Sequence, residues 1–141
     1  MMSGIELVRR SPANEEEIRT LVEGIGDHAR DAIGSSGFEP VAVLARNVDG
    51  DLIGGVTATI NWSWLSVRLL WVAEPERGRG LGARLMAAIE DLGRERGCRH
   101  AQVDTLGFQA PRFYERLGYE PFAELTDFAP SHSRIYFRKV L

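Results

Sequence analysis

The segment EPERGRGLGARL, residues 74–85, carries glycine at every second position from 78 to 82, and each of these glycines has an arginine within two residues. The apolar run LLWVA, residues 69–73, comes directly before it and is typical of a buried strand. After it, apolar side chains recur at helical spacing, at positions 81, 85, 88, 89 and 92. A glycine-rich turn that opens a helix exposes backbone N–H groups, which bind anions such as phosphates. The segment therefore predicts a phosphate-binding loop between a strand and a helix.

Two common phosphate-binding motifs fit this loop poorly. A Walker-type loop needs lysine and then serine or threonine after its last glycine, whereas Ala83 and Arg84 follow here. The dinucleotide fingerprint G-x-G-x-x-G/A is satisfied by Gly78, Gly80 and Ala83, and Asp104 ends the next predicted strand at a suitable distance. However, five residues separate the preceding strand from Gly78, and the motif follows a hairpin meander instead of opening βαβ units. A nicotinamide-dinucleotide-binding domain is therefore the weaker alternative.

Composition limits the class of protein. The chain has 141 residues, of which 44% are hydrophobic and 26% charged, so we expect a single domain over residues 1–141. The net charge of −3 does not favour a nucleic-acid partner, and no apolar run is long enough for a signal peptide or a membrane span. Cys98 is the only cysteine, which excludes an internal disulfide and a thiolate metal cluster. We expect a cytoplasmic protein without a metal and without a membrane partner.

Patterning along the rest of the chain predicts a mixed sheet with helices. Residues 5–10 alternate like a first or edge strand, and Asn14 followed by three glutamates marks the start of a helix that Gly24 and Gly26 weaken. The turn VDGD, residues 48–51, is typical of a hairpin. Further strands are predicted at 39–47, 52–60, 62–73, 100–106, 120–128 and 133–141, and a short helix at 110–119. This order predicts an α+β fold with one core.

Two stretches of the sequence resemble signatures of the GNAT family of N-acetyltransferases. LLWVAEPERGRGLGARLM, residues 69–86, is similar to the family's motif A, which contains the pattern R/Q-x-x-G-x-G/A. QAPRFYERLGYEPF, residues 109–122, is similar to the second signature of the family and lies about 30 residues further on. The C-terminal half also resembles a bacterial subgroup of the family that has no firmly assigned acceptor.

The resemblance implies both a fold and an activity. The fold is α+β, with a mixed, largely antiparallel seven-stranded sheet that is splayed between its fourth and fifth strands, and with about four helices. The activity is that of an acetyl-CoA-dependent N-acetyltransferase, which passes the acetyl group directly to a primary amine of a small molecule or peptide in a ternary complex. The resemblance is also compatible with a homodimer. A CoA-binding sensor domain without turnover is an alternative, because no general base is evident.

The resemblance further implies which residues bind acetyl-CoA. The glycine loop would hold the pyrophosphate, and the strand before it would pair with the pantetheine arm at a splay between residues 69–73 and 101–105. A backbone N–H of that strand, at Val72, would polarise the thioester carbonyl. Gly107 replaces an asparagine that many members carry, so that its contact to the pantetheine region is either lost or passed to Gln109. The complete predicted set is Leu70, Trp71, Val72, Ala73, Arg77, Gly78, Arg79, Gly80, Leu81, Gly82, Ala83, Gln109, Phe113 and Tyr114.

Tyr114 is the predicted catalytic residue. Reference pKa values near 10 for tyrosine and near 8.5 for a thiol make proton transfer to the thiolate uphill by roughly 2 kcal/mol. We therefore expect Tyr114 to donate a hydrogen bond to the leaving thiolate. The acceptor ammonium must also lose a proton, and Asp104 and His132 are the candidate bases. Each also has a purely structural interpretation: Asp104 would cap the loop at the end of its strand, and His132 would be a solvated loop residue.

The acceptor side is less well defined by the sequence. Trp62 and Trp64 share one face of a predicted strand, and they either line the acceptor pocket or pack within the sheet. A net acidic protein suits a cationic small amine, an exposed lysine or a peptide N-terminus as acceptor.

Overall fold

The contacts of the chain group into two compact units, residues 1–36 and 37–141, in a computed structural model that describes residues 4–141. The first unit contains helix α1, Glu15–Ile33. Its N-cap is Asn14, whose side chain accepts a hydrogen bond of 3.0 Å from the backbone N–H of Glu17. Three glutamates in the first turn complement the positive end of the helix dipole. The single domain over residues 1–141 stays a prediction.

The first unit differs from its sequence pattern in two places. Residues 5–10 do not form the predicted strand. A strand is stable only when backbone hydrogen bonds join it to a neighbouring strand, and residues 4–36 contain no such neighbour. Helix α1 also runs unbroken through Gly24 and Gly26. Each glycine costs a helix roughly 0.5–1 kcal/mol, and the N-cap bond offsets part of that cost.

A six-stranded sheet and two α-helices make up residues 37–141. The neighbouring strands are antiparallel except for the third and fourth, which are parallel. None of the helices in residues 4–141 is long and apolar enough to cross a membrane. The elements are β1 (Glu39–Arg46), β2 (Leu52–Asn61), β3 (Trp64–Val72), a 3-10 helix (Glu74–Glu76), α2 (Leu81–Glu95), β4 (His100–Leu106), α3 (Pro111–Arg116), β5 (Glu120–Ala129) and β6 (His132–Val140), and the sheet order is β1-β2-β3-β4-β6-β5.

The α+β fold with a mixed, largely antiparallel sheet is confirmed, although the number of elements differs from the expectation. The sheet of residues 37–141 has six strands instead of seven, because residues 5–10 are not a strand. The described residues contain three α-helices and one short 3-10 helix instead of about four helices. The splay consequently lies between the third and fourth strands.

The core of the second unit lies between α2 and one face of the sheet. Its largest fully buried side chains are Phe137, Leu65, Met86, Ile89 and Val56. Burying a side chain of this size stabilises a protein by about 1.5–3 kcal/mol. This packing holds α2 against the sheet, and therefore also holds the glycine loop that precedes the helix.

Candidate active site

Strands β3 and β4 separate along more than half of their length. They pair in parallel where residues 64–66 lie beside residues 100–102, and no further pair joins them within the described residues. Beyond this point an opening lies between residues 67–72 and residues 103–106. The opening agrees with the splay expected from the sequence, except that residues 101 and 102 are still paired.

A β-bulge in β3 accompanies this separation. Leu69 lies opposite Thr57 of β2, whereas Val67 lies opposite Ala58, so that Arg68 is an extra residue in β3. A bulge bends its strand and increases the local twist. The burial pattern changes at the same place, because Arg68 and Leu69 are both exposed. The bulge therefore turns the end of β3 away from β4.

The edge of β3 beside this opening carries free backbone groups. The backbone N–H of Ala73 donates a hydrogen bond of 2.8 Å to the carbonyl of Ile53 in β2. Because backbone groups along a strand alternate in direction, those of Val72 and Leu70 point away from β2 and toward the opening. The Val72 carbonyl accepts a hydrogen bond of 2.9 Å from Arg77 Nε. The Val72 N–H thus points into the opening, as the predicted contact with the thioester carbonyl requires. The hydrogen bond from Arg77 holds the carbonyl of the same residue.

The glycine loop ends in a left-handed residue that starts α2. Gly80 is the N-cap, with a φ of 82°, and Gly78 has a φ of 75°. No side chain caps this helix, so the first-turn N–H groups, starting at Leu81, keep no intrahelical partner. A Cβ built on Gly78 or Gly80 would meet nothing within 4 Å. Glycine is therefore required here by backbone conformation, which leaves the approach to the free N–H groups open.

Gly82 has a different role from its neighbours. A Cβ on Gly82 would lie 3.3 Å from the Phe113 ring and 3.9 Å from a Val72 methyl. The first turn of α2 therefore rests directly on α3 and on the end of β3. This packing brings α3, which is distant in sequence, against the end of β3 and the first turn of α2, so that the three elements form one wall of the site.

The cavity beside the glycine loop fits a diphosphate group. It measures about 400 Å³ and is lined by Gly78, Gly80, Leu81, Phe113 and Arg116 among other residues. The N–H groups at the start of α2 and the Arg116 guanidinium both favour an anion. The loop has no side chain above these N–H groups to exclude the pyrophosphate of CoA. Arg79 is mostly exposed and lies 3.9 Å from Glu76.

Tyr114 and its neighbour Phe113 point in different directions from α3. Phe113 packs under Gly82, whereas Tyr114 is only 6% exposed and packs near Phe137, with ring centroids 6.0 Å apart. The Tyr114 hydroxyl makes no hydrogen bond to another described residue and is not enclosed. Burial raises the pKa of Tyr114, and the nearby charge of Asp104 raises it further. The phenol is therefore kept neutral and free to donate.

Asp104 forms a half-buried ion pair on the wall of the opening. Arg134 Nε donates to Asp104 Oδ2 at 2.7 Å, and both side chains are about one-third exposed, at 33% and 35%. The guanidinium also lies 5.0 Å from the ring centroid of Phe128 and 5.2 Å from that of Tyr136. The ion pair raises the pKa of Arg134. Gln102 is the last residue of β4 that pairs with β3. Asp104 lies two residues further along β4 on the same face, so its carboxylate lies beside the opening.

The other candidate base and the predicted Gln109 contact lie near the end of β4. His132 begins β6, is exposed, and meets the Phe108 ring edge to face at 4.8 Å. The side-chain carbonyl of Gln109 accepts the Leu106 N–H at 3.0 Å and the Thr105 hydroxyl at 3.3 Å. Gln109 therefore caps the end of β4, and these two hydrogen bonds occupy its side-chain oxygen. A contact between its amide nitrogen and the cofactor stays a prediction.

The two tryptophans lie at the opposite end of β3 from the glycine loop. Trp62 is in the turn before β3 with a φ of 48°, and Trp64 stacks on His100 at 4.8 Å. Eight residues of strand, roughly 26 Å, separate Trp64 from Val72. Trp64 therefore packs at the paired end of the sheet, which favours the packing interpretation, and a place in the acceptor pocket stays a prediction.

Cys98 has a structural position. It is 4% exposed, lies against Gly93, and burial raises the pKa of its thiol. A thiol held neutral in the core is a poor nucleophile. Within residues 4–141 no group of three or more histidine, cysteine, aspartate or glutamate side chains is placed to hold a metal ion.

Three arginines that take part in the geometry of the candidate site were not identified from the sequence: Arg116 beside the glycine loop, Arg68 at the bulge and Arg134 beside Asp104. Arg116 lies one turn after Phe113, and this i,i+3 spacing would have placed both on one face of α3. The bulge at Arg68 and the pairing of Arg134 with Asp104 had no signal, because they depend on the register between strands.

Three comparisons show what the chain is similar to. Residues 11–119 match the model of the acetyltransferase (GNAT) family. A blasticidin-S acetyltransferase of Streptomyces morookaense is 46% identical over 94 residues, which are 66% of this chain and 69% of that protein. An acetyltransferase of Agrobacterium fabrum is 34% identical over 75% of this chain and 77% of its own length. The crystal structure of a putative acetyltransferase from Agrobacterium tumefaciens superposes with a TM-score of 0.91 at 28% identity, covering 97% of this chain and all of the other.

The fold, the glycine loop and the family match together define a transferase that uses acetyl-CoA. The chain belongs to the acetyltransferase (GNAT) family. It is an acetyl-CoA-dependent N-acetyltransferase with an amine acceptor, and acetyl-CoA is its co-substrate. The resemblance seen in the sequence is thereby confirmed, and the dinucleotide-binding alternative is wrong. The roles of individual residues stay predictions.

Proposed function

We propose that this enzyme transfers the acetyl group directly to the primary amine of a small cationic molecule in a ternary complex. The observation that carries the proposal is the opening between β3 and β4, which has the Asp104 carboxylate on one wall and the free edge of β3 on the other. The acetyl group at the free edge of β3 and the amine near Asp104 would then meet in one opening.

The proposed reaction needs no acyl-enzyme. The amine nitrogen attacks the thioester carbonyl carbon, a C–N bond forms, and the C–S bond breaks to release the thiolate of CoA. The Val72 N–H polarises the carbonyl oxygen as negative charge develops on it. The buried position of Cys98 supports direct transfer, since that thiol is not available to accept the acetyl group.

Tyr114 acts on the leaving thiolate as a hydrogen-bond donor. Its pKa lies above the ordinary value of about 10. The uphill gap to a thiol is therefore larger than the roughly 2 kcal/mol expected for an unperturbed phenol. A hydrogen bond to the thiolate is consequently favoured over complete proton transfer.

Asp104 is the base that the arrangement favours. Burial and, after it, the negative charge of Asp104 raise the pKa of the Tyr114 phenol. Its Oδ2 is held by Arg134, while Oδ1 forms no hydrogen bond to another described residue. The acceptor ammonium would approach Oδ1 and pass one proton to it, directly or through water. His132 is the second candidate, at the start of the neighbouring strand.

The proposed acceptor class rests on charge and on one relative. The chain carries a net charge of −3, and Asp104 offers a carboxylate at the opening. The relative that is 46% identical is named for the acetylation of blasticidin S. We therefore place a cationic antibiotic-like amine first, ahead of a peptide amine.

A panel of acceptors tests this proposal. Release of free CoA thiol is measured with blasticidin S, spermidine, kanamycin and a lysine-containing peptide at equal concentration. We expect kcat/KM to be highest for one of the three small cationic amines. A clear preference for the peptide would overturn the acceptor class, and no thiol release with any amine would contradict direct transfer at this site.

A homodimer is also proposed. β5 is an edge strand that is exposed along nearly its whole length, and Phe122, Leu125 and Phe128 on it are 45–49% exposed. Exposed apolar side chains along an edge strand support association with a second copy. Light scattering of the purified protein would give twice the mass of 15.7 kDa, and the mass of a monomer would exclude the dimer.

A further inference from the structure

Helix α2 carries a buried carboxylate that the proposed reaction does not use. Glu90 is 5% exposed, and Thr105 is the only other buried polar side chain within the described residues. Glu90 Oε2 accepts a hydrogen bond of 2.8 Å from the Tyr119 hydroxyl. Glu90 Oε1 accepts one of 3.0 Å from Lys139 Nζ in β6, and the guanidinium of Arg94, one turn further along α2, lies 4.0 Å from the same oxygen. Both oxygens are therefore occupied, and the carboxylate joins three separate elements.

Stability alone does not account for this group. Taking a carboxylate and an ammonium out of water costs several kcal/mol for each ion, and a well-packed apolar replacement is often as stable or more stable. The surrounding core is rich in aliphatic and aromatic side chains that would accept such a replacement. A buried ion pair of this kind is better explained by the specific geometry that it imposes.

The network leads directly to Tyr114. The Tyr119 N–H donates to the Tyr114 carbonyl at 3.1 Å, and the Leu117 N–H donates to the same oxygen at 3.1 Å. The Tyr119 ring meets the Tyr114 ring at 77° with centroids 6.0 Å apart. Gly118, with a φ of 91°, makes the turn between them, and the Lys139 ammonium lies 5.4 Å from the Tyr119 ring.

Helix α3 needs such support because of its length. It has six residues, Pro111–Arg116, and isolated helices of this length are not stable in water. Its first turn has no side-chain cap. The direction of the Tyr114 side chain is therefore set by what holds the two ends of α3, and Tyr119 holds the C-terminal end.

We propose that Glu90 is a positioning residue for acetyl transfer, which binds Tyr119 and Lys139 and thereby fixes the orientation of the Tyr114 side chain on α3. This inference rests on the proposed role of Tyr114. Glu90 itself touches neither acetyl-CoA nor the acceptor. Its effect is expected on the rate of the chemical step and not on the binding of acetyl-CoA.

The first experiment measures kcat and KM for Glu90→Gln with the best acceptor of the panel above. Glutamine removes the negative charge and offers only one oxygen, so either the Tyr119 hydroxyl or the Lys139 ammonium loses the acceptor of its proton. We expect kcat to fall about tenfold, because a displaced catalytic group loses its alignment, while KM for acetyl-CoA stays within about twofold. The matched control is Glu95→Gln, the same substitution further along α2, where the side chain is exposed. It should leave both constants unchanged.

A double-mutant cycle separates positioning from general destabilisation. In the Tyr114→Phe background, Glu90→Gln should lower kcat by no more than about twofold, because the hydroxyl that it positions is already absent. An equal fall in both backgrounds would overturn the positioning role, and so would a rise in KM for acetyl-CoA without a change in kcat. If Tyr114→Phe leaves kcat unchanged, the role of Tyr114 fails and this inference fails with it.

Tyr119→Phe provides a second variant if Glu90→Gln does not fold. It keeps the ring between Tyr114 and Lys139 and removes only the hydroxyl that binds Glu90. We expect kcat to fall in the same direction in the wild-type background and to stay constant in the Tyr114→Phe background. A constant kcat in both backgrounds would overturn the inference.

Discussion

The two sides of the active site are built from different parts of the chain. The proposed cofactor side consists of the end of β3, the glycine loop and the first turn of α2, which are continuous in sequence from Leu70 to Ala83. The proposed acceptor side consists of Asp104 from β4 together with Arg134 and Tyr136 from β6, about 30 residues away. The first side uses backbone N–H groups and glycines, and the second uses charged and aromatic side chains.

This difference explains how each side recognises its ligand. A backbone surface depends on φ angles such as the 82° of Gly80, which very few residue types adopt. A binding surface made of side chains, such as the Asp104–Arg134 pair, depends on which strands are neighbours in the sheet. We therefore expect changes on the cofactor side to abolish CoA binding for any acceptor. Changes on the acceptor side should leave CoA binding intact and alter the kinetics of the amine.

The largest effect is expected for Gly80→Val. A β-branched residue does not adopt this left-handed conformation, so the loop must shift and turn the N–H groups that start α2. Charge-assisted hydrogen bonds are worth about 1.5–3 kcal/mol each, so the loss of two predicts at least about 100-fold weaker binding of CoA in calorimetry.

Gly97→Val is the matched control for the glycine loop. Gly97 has a φ of 86° and open space around it, but it lies just beyond the other end of α2. The same strain should lower thermal stability and leave the Kd for CoA unchanged. Equal CoA affinity of Gly80→Val and wild type would contradict the assignment of the loop to the pyrophosphate.

A smaller effect is expected for Tyr114→Phe, which keeps the ring and removes the donor to the leaving thiolate. A hydrogen bond to a charged group is worth about 1.5–3 kcal/mol, so kcat should fall about 10- to 100-fold. The KM for acetyl-CoA should stay within about twofold, because the ring packing with Phe137 and Tyr119 is retained. Steady-state thiol release measures both constants, and an unchanged kcat would exclude Tyr114 from the chemistry.

Asp104→Asn tests the acceptor side. We expect kcat/KM for the amine to fall about tenfold at neutral pH, because general-base assistance and the attraction of the ammonium are both lost. The Kd for CoA should not change. Glu120→Gln is the control, since Glu120 forms an ion pair of 3.3 Å with Arg138 between β5 and β6, outside the opening. If the amine kinetics of Asp104→Asn equal those of wild type, the base lies elsewhere, and His132→Gln should then show the loss.

The smallest effect concerns stability in alkali and touches neither ligand. Burial, followed by the charge of Glu90, raises the pKa of Tyr119 far above its ordinary value. Below about pH 10 the phenol is neutral in both the folded and the unfolded chain, so pH has no effect through it. Above about pH 10 only the unfolded chain releases the proton, which lowers the free energy of unfolding by about 1.4 kcal/mol per pH unit.

Tyr119→Phe should therefore lose stability less steeply between pH 10 and pH 11 than wild type in urea denaturation. Tyr114 contributes in the same direction through its own raised pKa, so part of the slope remains in this variant. Identical slopes for wild type and Tyr119→Phe would contradict the burial of a neutral phenol at this position.

Much of the cofactor side was predictable, because its signals are local. The spacing of Gly78, Gly80 and Gly82 between an apolar strand and a helix indicated the phosphate-binding loop. Arg77 was assigned to the cofactor, and the structure shows that its Nε also braces the Val72 carbonyl. The count of strands was wrong by one, because alternation in residues 5–10 does not reveal whether a neighbouring strand is present.

The acceptor side was predictable only as separate candidates. Asp104 and His132 were both identified, but the ion pair of Asp104 with Arg134 depends on the register of β4 with β6. The two interpretations of Trp62 and Trp64 stayed open in the sequence, because strand alternation shows which face a residue occupies and not which end of the sheet lies beside the site. Glu90 gave no sequence signal, since a glutamate in an amphipathic helix is usually solvated.

The sequence by itself determined the family, the glycine loop and the tyrosine on α3, because each depends on residues within one turn or one strand–helix junction. The tertiary structure alone decided the opening between β3 and β4, the pairing of Asp104 with Arg134, and the contacts of Glu90 with Tyr119 and Lys139. The physical reason is the range of the interactions. A backbone conformation is set by neighbouring residues, whereas a bulge, a strand register and a buried ion pair arise only when distant segments pack together.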